Sequence, residues 1–373
     1  VQQSTSKTRQ RNDFFKRSIN ILPKLGNCLL NWPTFAIRRF TVILQAGNIY
    51  STMHNFEELA ASFKKRFQVR HFPQQPASLY EPGEYFLGIG GKRVRPVMCL
   101  MGNELFGPVT DDAYNVATAI ELFHNFTLIH DDIMDAAPLR RGMQTVHTKY
   151  NESTALLAGD VMLIVAYDYL NRISTTYVHR ILRLFNQTAK EVCEGQQMDM
   201  DFEKQDVVAP AEYIQMIALK TSVLLAASLT MGALIGGAGE GNCEHLYNFG
   251  KNLGIAFQVQ DDYLDAFGDP AKFGKDVGGD IRQNKKTFLL IHALEVASEA
   301  QKKELRALML NNPVDKVERI LTIFKACNVD EWAKQLKQQY LEKALYHLEE
   351  VAVVSNRKKP LRELADFLIQ RDY

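Results

Sequence analysis

Residues 128–135 read LIHDDIMD, which places three carboxylates in an otherwise apolar helical stretch. Residues four apart lie on one face of an α-helix, so Asp131 and Asp135 project in the same direction, with Asp132 beside them. Three carboxylates this close repel one another unless solvent or a cation relieves the repulsion. An exposed acidic helix surface is one interpretation. The apolar neighbours favour the other, a site for a hard cation such as Mg²⁺.

The same pattern recurs as DDYLD at residues 261–265, at the end of a second apolar helix. Asp261, Asp262 and Asp265 repeat the spacing of the first motif. Two facing carboxylate clusters can hold several Mg²⁺ ions between them, and the oxygens of a bound diphosphate would complete the metal coordination. The recurrence therefore favours a shared diphosphate and metal site over two unrelated acidic surfaces.

Outside these motifs, helical periodicity continues over nearly the whole chain after Met53. The sequence shows no strand alternation with hairpin turns, no solenoid repeat and no linker-like segment. It therefore predicts one all-α domain at residues 53–373, a single large helical bundle of about ten core helices. The periodic stretches are 79–91, 113–134, 155–173, 178–193, 213–235, 243–267, 288–300, 315–327, 330–354 and 361–371.

Composition limits the possible partners and compartments. The 373-residue chain is 46% hydrophobic and has a net charge of +1, which gives no reason to expect nucleic acid as a partner. The cysteines include no CxxC pair, so neither a disulfide framework nor a structural zinc site is indicated, and a cytoplasmic location is expected. The longest apolar stretch, residues 223–239, contains Ser228, Thr230 and several glycines, which predicts a buried helix and no stable membrane insertion.

The first 52 residues differ from the rest of the chain. They carry eight Lys or Arg residues against Asp13 alone, and they are rich in Ser, Thr and Gln. Three interpretations stand: a transit peptide, a basic arm, or an extension that precedes a start at Met53, the first methionine of the sequence. Each interpretation predicts that the segment 1–52 is a basic N-terminal extension outside the folded domain.

Basic motifs accompany the acidic ones. In GGKRVRP, residues 90–96, the glycines allow an anion to approach the backbone closely, and Lys92 and Arg95 would share a face if the segment is helical. A solvated basic turn is the alternative. Arg140 and Arg141 follow the first acidic motif, either as ion-pair partners or as cations for two bound phosphates.

Three lysines and a histidine complete the candidate polar residues. Lys220 interrupts an apolar helix, where a lysine is unfavourable unless it meets an anion or reaches solvent. Lys275 and Lys285 lie in loop-like segments, where they would either close over a diphosphate or be solvated. His124 lies on the apolar helix before the first acidic motif, so it is either a satisfied core histidine or a ligand contact.

Jointly, these motifs resemble those of the trans-isoprenyl diphosphate synthases, the family of farnesyl and geranylgeranyl diphosphate synthases. The resemblance covers residues from about 85 to 290, and it implies an all-α bundle around a deep central cavity, usually as a homodimer. It rests on GGKRVRP (90–96), LIHDDIMD (128–135), RRG (140–142), GDVM (159–162), GQQMDMDF (195–202), KT (220–221) and FQVQDDYLDAFGDPAKFGKDVGGDI (257–281).

The resemblance also implies a role for each matching residue. The expected ligands of several Mg²⁺ ions are Asp131, Asp135 and Asp261, supported by Asp132 and, through metal-bound water, by Asp262 and Asp265. The residues expected to bind isopentenyl diphosphate are Lys92, Arg95, His124 and Arg141. Those expected to bind the allylic diphosphate are Arg140, Lys220, Lys275 and Lys285. Oxygen atoms of Thr221 and Gln258 are expected to face the developing carbocation.

The implied activity is Mg²⁺-dependent head-to-tail condensation of isopentenyl diphosphate with an allylic diphosphate. Phe126 and Phe123 precede Asp131 on the same helix and would form the floor under the growing tail, whereas Thr127 is small where some farnesyl synthases carry an aromatic residue. One bulky residue predicts geranylgeranyl diphosphate as the product, with farnesyl diphosphate as the alternative. A longer-chain polyprenyl synthase, a class I terpene cyclase and a non-catalytic partner subunit are weaker alternatives. GGKRVRP and the two intact acidic motifs argue against the last two.

Overall fold

Capping residues in the sequence fix where the main helices begin. At the first helix, Asn55 accepts a hydrogen bond from the backbone N–H of Glu58, whose side chain accepts in return from the Asn55 N–H. The Thr110 side chain accepts from the Ala113 N–H, and acidic residues fill the following first turn. This last cap starts the long helix that ends in the first acidic motif.

The computed structural model describes residues 53–205, 207–268 and 277–369. Within these ranges the chain is helical apart from its connections and one hairpin of short strands, so the predicted all-α fold is confirmed. The helices are α1 (Phe56–Phe67), α2 (Ala77–Gly88), α3 (Val94–Glu104), α4 (Asp111–Met134), α5 (Val146–Lys149), α6 (Glu152–Leu170), α7 (Thr175–Lys204), α8 (Pro210–Ile217), α9 (Val223–Ile235), α10 (Glu240–Phe267), α11 (Gly279–Arg282), α12 (Phe288–Val296), α13 (Glu299–Asn311), α14 (Lys316–Ala326), α15 (Val329–Glu350) and α16 (Ser355–Ile369). The antiparallel strands are β1 (Leu139–Arg140) and β2 (Met143–Gln144), and the π-helix Ala218–Ser222 joins α8 to α9.

The described ranges hold more helical segments than the sequence predicts. Helices α5 and α11 have four residues each, which is too short to show a periodic pattern. The helix predicted at 288–300 ends at Val296, because Ser298 caps the separate helix α13. The hairpin was not expected either, since two-residue strands show no alternation of apolar and polar residues.

Helix α9 lies in the centre of the larger hydrophobic cluster. All 13 of its residues are buried. It approaches α3 so closely that a Cβ atom at Gly232 would lie 1.8 Å from the Cys99 carbonyl oxygen. On the facing helix, a Cβ atom at Gly102 would lie 2.1 Å from the Leu229 carbonyl oxygen. The paired glycines therefore permit the contact that buries this apolar helix.

Two helical stretches, Glu152–Leu170 and Pro210–Ile235, have the length and apolar composition of a membrane span. In the second stretch, 83% of the most apolar window is buried inside the protein, as expected for a core helix. In the first stretch only 39% is buried, which leaves an exposed apolar surface on α6. A core helix of a folded protein meets the same criteria, so neither stretch alone indicates a span.

Helix α10 links the two hydrophobic clusters of the protein. Its Phe249 packs in the larger cluster with α3, α4 and α9, whereas Val259 packs in a smaller one with α8, α12 and α14. The second acidic motif follows at the C-terminal end of this helix. All these elements belong to one compact unit that begins at Met53. The predicted N-terminal extension, residues 1–52, lies outside the described residues.

Candidate active site

Helix α4 carries the first acidic motif to one end of a cavity. Asp131, on its last turn, lies between two positive charges. Lys220 Nζ is 3.4 Å from Asp131 Oδ1, and Arg140 Nη2 is 3.4 Å from Asp131 Oδ2. Among the residues that the structure describes, no group donates a hydrogen bond to the buried Oδ1. This oxygen can therefore accept a further cation.

Asp132 and Arg140 form a close ion pair beneath the motif. Arg140 Nε donates to both carboxylate oxygens of Asp132 at 2.9 Å, and Nη2 lies 2.7 Å from Oδ1. Burial raises the pKa of the Asp132 carboxyl, and the Arg140 guanidinium opposes part of this increase. Asp135, by contrast, is exposed. Partial burial and the charge of Asp131 raise the pKa of Asp135.

A tight hairpin separates Arg140 from Arg141. The register of β1 and β2 leaves Arg141 and Gly142 as a two-residue loop, and their φ angles of 53° and 77° fit a type I′ turn. Arg140 consequently reaches the acidic motif, whereas Arg141 donates to the carbonyl oxygen of Gly90. The turn thus places one arginine at the acidic motif and the other at the glycine-rich basic segment.

Arg95 and His124 form the polar wall on the other side of the cavity. Arg95 Nη1 lies 3.1 Å from His124 Nε2. Burial lowers the pKa of Arg95 to about 10, and its buried Nε has no hydrogen-bond partner within the described ranges. Burial, followed by the charges of Arg95 and nearby arginines, holds the pKa of His124 well below its usual value. The neutral imidazole can therefore accept the guanidinium hydrogen bond.

The basic segment itself is arranged differently from the expectation. Helix α3 begins at Val94, so the exposed Lys92 precedes the helix and does not share a helical face with Arg95. Arg93 has a left-handed backbone, with φ of 53°, and its guanidinium pairs with the buried Glu121. Asn125 Nδ2 donates to the same Glu121 oxygen at 2.8 Å. Sequence reasoning gave no role to Arg93, Glu121 or Asn125, and no periodic signal marks them.

Lys220 reaches Asp131 from the π-helical segment Ala218–Ser222. π-Helical insertions of this kind occur frequently at functional sites. Lys220 Nζ donates to Asp199 Oδ2 at 2.6 Å. The two segments approach each other because a Cβ atom at Gly195 would lie only 2.2 Å from the backbone nitrogen of Lys220. Asp199 was missed as a site residue, although its place in GQQMDMDF, four residues after Gly195, was a usable signal.

The carboxylates of the second acidic motif have different partners. Asp262 is 5% exposed, and it accepts hydrogen bonds from the Tyr213 hydroxyl and from Gln258 Nε2, each at 2.8 Å. Burial and the charge of Asp280 raise the pKa of Asp262 to about 8, although these hydrogen bonds oppose the shift. Asp265 accepts from the backbone N–H of Asp280 at 3.0 Å. Asp265 therefore fixes the start of α11.

The three aspartates of the second acidic motif, all expected to take part in metal binding, differ in their contacts. Asp261 is partly exposed at the end of α10. Asp262 instead points toward Tyr213 and Gln258, and Asp265 points toward backbone N–H groups. In the structure both carboxylates bind protein donors, and the role of Asp262 and Asp265 through metal-bound water stays a prediction.

A cavity of about 340 Å³ extends from Asp131 between α4 and α7. Phe126 and Thr127 both line it. Phe123 is not part of the lining, because it is 1% exposed and lies behind Phe126, with the two ring centroids 5.7 Å apart. The remaining lining residues are Arg95, His124, Leu128, His130, Met134, Val192, Cys193, Gln196, Gln197, Met200, Lys220, Thr221 and Leu224.

A second cavity, of about 160 Å³, brings the two acidic motifs together. Asp135 of the first motif and Asp262 of the second both line it. Lys220 and Thr221 line both cavities, so the π-helical segment lies between them. The two motifs, 130 residues apart in sequence, therefore contribute to one polar site.

Of the two loop lysines that the sequence predicts at the site, one lines this second cavity and the other lies outside the described residues. Lys285 lines the cavity, and its Nζ lies 3.5 Å from Asp280 Oδ1. Lys286 donates to backbone carbonyls at the end of α7, among them Phe202 at 2.9 Å. Lys275 lies outside the described residues.

The acidic residues fit divalent cations that are shared with a substrate. Within 53–205, 207–268 and 277–369, no three acidic, histidine or cysteine side chains converge into a complete metal site. The available donors are carboxylate oxygens, which suit Mg²⁺, and the buried oxygen of Asp131 lacks a hydrogen-bond donor in this part of the chain. Oxygens of a bound diphosphate would supply the missing ligands.

Comparison with known proteins identifies the family. Residues 76–325 match the polyprenyl synthetase family. The chain belongs to this family. The geranylgeranyl pyrophosphate synthase of Geoglobus acetivorans is 40% identical over 304 residues, which are 80% of this chain and 93% of that protein. The geranylfarnesyl diphosphate synthase of Natronomonas pharaonis is 32% identical over 319 residues, 80% of this chain and 92% of that protein.

Comparison with solved structures supports the same family. A crystal structure of a geranylgeranyl pyrophosphate synthase matches this polyprenyl synthetase with a TM-score of 0.81 and 44% identity, covering 86% of this chain and 99% of that one. The resemblance inferred from the motifs is therefore confirmed. The chain is a prenyltransferase of the trans-isoprenyl diphosphate synthase class.

Proposed function

We propose that this polyprenyl synthetase is a Mg²⁺-dependent geranylgeranyl diphosphate synthase, which adds isopentenyl diphosphate head-to-tail to an allylic diphosphate. One observation carries the proposal. A single cavity has Asp131 and Lys220 at one end, Arg95 and His124 in its wall, and Phe126 further along α4. The cavity thus combines groups for two diphosphates with an apolar wall for a hydrocarbon tail. The relative from Geoglobus acetivorans, a geranylgeranyl pyrophosphate synthase, supports the same product.

The allylic diphosphate belongs at the acidic end of the cavity. Cleavage of its C–O bond moves negative charge onto the diphosphate, so positive charge placed there in advance lowers the barrier. Lys220 and Arg140 supply such charge beside Asp131. Asp131, Asp135 and Asp261 would hold Mg²⁺, which would supply further positive charge to the leaving group when bound.

The two lysines that follow the second acidic motif complete this end of the site in our proposal. Lys285 already lines the cavity shared by the two motifs. Lys275 lies in the segment between α10 and α11, next to the same motif in sequence. We propose that both lysines bind the allylic diphosphate.

Isopentenyl diphosphate belongs at the basic wall. The buried Nε of Arg95, which has no hydrogen-bond partner among the described residues, would gain one from a bound phosphate. Arg141 lies against the neighbouring Gly90–Gly91 segment, where a Cβ atom at Gly91 would lie 2.8 Å from its guanidinium. Lys92 and the neutral His124 complete this set. Together these groups would hold the double bond of isopentenyl diphosphate near the allylic carbon.

The chemical step then joins two carbon atoms. The allylic C–O bond breaks, and the electron pair of the isopentenyl double bond forms the new C–C bond. A proton leaves the adjacent carbon for the departed diphosphate, which restores a double bond. Thr221 and Gln258 would direct oxygen atoms at the cation, and apolar residues such as Leu128, Val192 and Leu224 would exclude water.

Product length is set, in this proposal, by Phe126. The tail would pass from Asp131 along α4, where the small Thr127 leaves room and Phe126 limits the depth. Phe123 would act only as the support behind Phe126. One helical turn advances about 5.4 Å, comparable to one isoprene unit, so a floor one turn deeper would change the product by about one unit. Farnesyl diphosphate is the alternative product.

We also propose that the enzyme acts as a homodimer in the cytoplasm. Leu156, Leu157 and Ile164 are each at least half exposed and lie on one helix, α6, which suits an interface with a second copy. Cys99, Cys193, Cys243 and Cys327 are free thiols, which suits a reducing compartment. We further propose that residues 1–52 contribute nothing to catalysis, because every proposed site residue follows Met53.

Product analysis tests the proposed function. The purified protein is incubated with isopentenyl diphosphate and either dimethylallyl, geranyl or farnesyl diphosphate, and the products are identified by mass spectrometry. We expect geranylgeranyl diphosphate with each primer, and loss of turnover when a chelator removes Mg²⁺. A protein starting at Met53 serves as the matched sample and should give the same product. Absence of any condensation product would contradict the proposal.

A further inference from the structure

Three side chains form a hydrogen-bonded group that includes Asp262 of the second acidic motif. The Tyr213 hydroxyl donates to one carboxylate oxygen of Asp262, and Gln258 Nε2 donates to the other, each at 2.8 Å. Tyr213 is 6% exposed and Asp262 is 5% exposed. Tyr213 belongs to α8, whereas Asp262 and Gln258 belong to α10, so the hydrogen bond from Tyr213 joins two helices. No sequence motif marks Tyr213 as a site residue.

These contacts determine how the Gln258 amide is oriented. Because Gln258 Nε2 donates to Asp262 Oδ1 at 2.8 Å, the Gln258 amide turns its NH₂ group toward Asp262. The carbonyl oxygen of the same amide then points away from Asp262. Gln258 and Thr221 line the cavity between the two acidic motifs, where that oxygen would meet a bound substrate. The arrangement thus converts a rotatable amide into a fixed acceptor.

Tyr213 is needed because it occupies the second oxygen of Asp262. Without this donor, the Asp262 carboxylate would be free to rotate or to bind a cation, and Gln258 would lose its fixed partner. Tyr213 itself is held by packing, with its ring centroid 6.2 Å from that of Phe288. It also lies seven residues before Lys220 on the continuous α8 and π-helical segment. One helix therefore positions both Lys220 and this donor.

We propose that Tyr213 and Asp262 are positioning residues that orient the carbonyl oxygen of Gln258 toward the allylic carbocation. This inference rests on the proposed prenyltransferase reaction. It assigns Asp262 to the support of Gln258 and leaves the metal-binding role in the second motif to Asp261. The hydroxyl of Tyr213 touches neither substrate, and its effect reaches the reaction only through Asp262 and Gln258.

Steady-state kinetics of Tyr213→Phe, Gln258→Ala and the double variant test the inference. We expect Tyr213→Phe to lower kcat about tenfold, because it leaves a buried oxygen of Asp262 without its hydrogen-bond donor. KM for both substrates and the half-saturating Mg²⁺ concentration should stay within about twofold of the wild type. In the double variant the two losses should not multiply, because both act on one carbonyl oxygen. Tyr247→Phe is the matched control and should leave kcat unchanged, since Tyr247 lies on another part of α10 and its hydroxyl donates to Glu191 of α7.

The outcomes separate this inference from the proposed function. A wild-type enzyme that forms no prenyl diphosphate would refute the reaction itself. An active wild type would overturn the positioning role alone if Tyr213→Phe kept its kcat, if its loss multiplied with that of Gln258→Ala, or if it required far more Mg²⁺. Should Tyr213→Phe fail to fold, Asp262→Asn provides the same test. It keeps the shape of the side chain, and we expect a lower kcat with unchanged Mg²⁺ dependence.

Discussion

The two acidic motifs have the same spacing but different surroundings. In the first, Asp131 lies between the cations Lys220 and Arg140 and keeps a buried oxygen that accepts no hydrogen bond from the described residues. In the second, the central Asp262 receives a hydrogen bond on each oxygen from the neutral donors Tyr213 and Gln258. The same five-residue pattern therefore contains one carboxylate poised for a cation and another built into the scaffold.

This difference shows what decides the role of a buried carboxylate. A carboxylate whose oxygens are both satisfied by protein donors has little to gain from a metal ion, because its desolvation is already compensated. A carboxylate with a buried oxygen that lacks a donor gains from a cation or a metal-bound substrate. Asp132, at the place in the first motif that Asp262 has in the second, likewise has both oxygens bonded, by Arg140. The surroundings of each aspartate therefore indicate whether its oxygens remain available to a cation.

The largest expected effect comes from the proposed metal ligand of each motif. Asp131→Ala and Asp261→Ala should each reduce kcat by about a thousandfold or more, because each removes several kcal/mol of stabilisation from the leaving diphosphate. Product formation by radiolabelled isopentenyl diphosphate measures the loss, and circular dichroism checks that the helices persist. Asp315→Ala, at an exposed aspartate immediately before α14, is the control. Near-native activity of either variant would break the assignment.

A variant of the basic wall tests whether the two diphosphates bind at separate places, one at the acidic motifs and the other at Arg95. Arg95→Ala should raise KM for isopentenyl diphosphate about a hundredfold, since a hydrogen bond between charged groups contributes about 1.5–3 kcal/mol. KM for the allylic diphosphate should change much less. Arg66→Ala, at an exposed arginine that pairs with Asp111, is the control. A larger effect on the allylic substrate would mean that the two sites are exchanged.

The motifs also differ in what precedes them on their helices. Phe126→Ala should lengthen the main product by about one isoprene unit, and Thr127→Phe should shorten it, because both residues line the cavity below Asp131. Phe257→Ala is the control. Phe257 lies four residues before Asp261, just as Thr127 lies four residues before Asp131, and its replacement should not change product length. Mass spectrometry of the products decides. Identical products from all three variants would show that another helix stops the chain.

The third aspartate of each motif should differ in its effect on stability. Asp265→Ala should lower the free energy of unfolding by about 1–2 kcal/mol, because it leaves the backbone N–H at Asp280 without its acceptor. Asp135→Ala should change it by less than about 0.5 kcal/mol, because Asp135 is exposed and its charge is repelled by Asp131. Urea unfolding of both variants measures the difference. Equal losses would remove the distinction between the two positions.

The sequence was sufficient for the fold class and for the charged residues of the site, because carboxylates and cations inside apolar helices are visible as interruptions of a pattern. Asp131 and Lys220 stand out for this reason. Tyr213 does not, because a buried tyrosine on an apolar helix reads as ordinary core. The opposite directions of Arg140 and Arg141 were also hidden, since they depend on positive φ angles in a two-residue turn.

The distinction between Arg93 and Arg95 shows the same limit. Both arginines lie in one short basic segment, yet Arg93 pairs with the buried Glu121 and Arg95 lines the cavity with His124. The left-handed backbone at Arg93 and the start of α3 at Val94 decide which side chain faces which way. Residue type and spacing show that positively charged side chains are present. The backbone conformation determines which of these side chains faces the cavity.

The most direct measurement is the Mg²⁺ dependence of allylic diphosphate binding in Asp131→Asn and Asp262→Asn. Calorimetric titration with geranyl diphosphate, without isopentenyl diphosphate, measures binding in the absence of turnover. We expect Mg²⁺ to tighten binding to the wild type and to Asp262→Asn by similar factors, and at least tenfold less to Asp131→Asn, which lacks one ligand charge. An equal loss of Mg²⁺ dependence in both variants would contradict the different roles assigned to the two motifs.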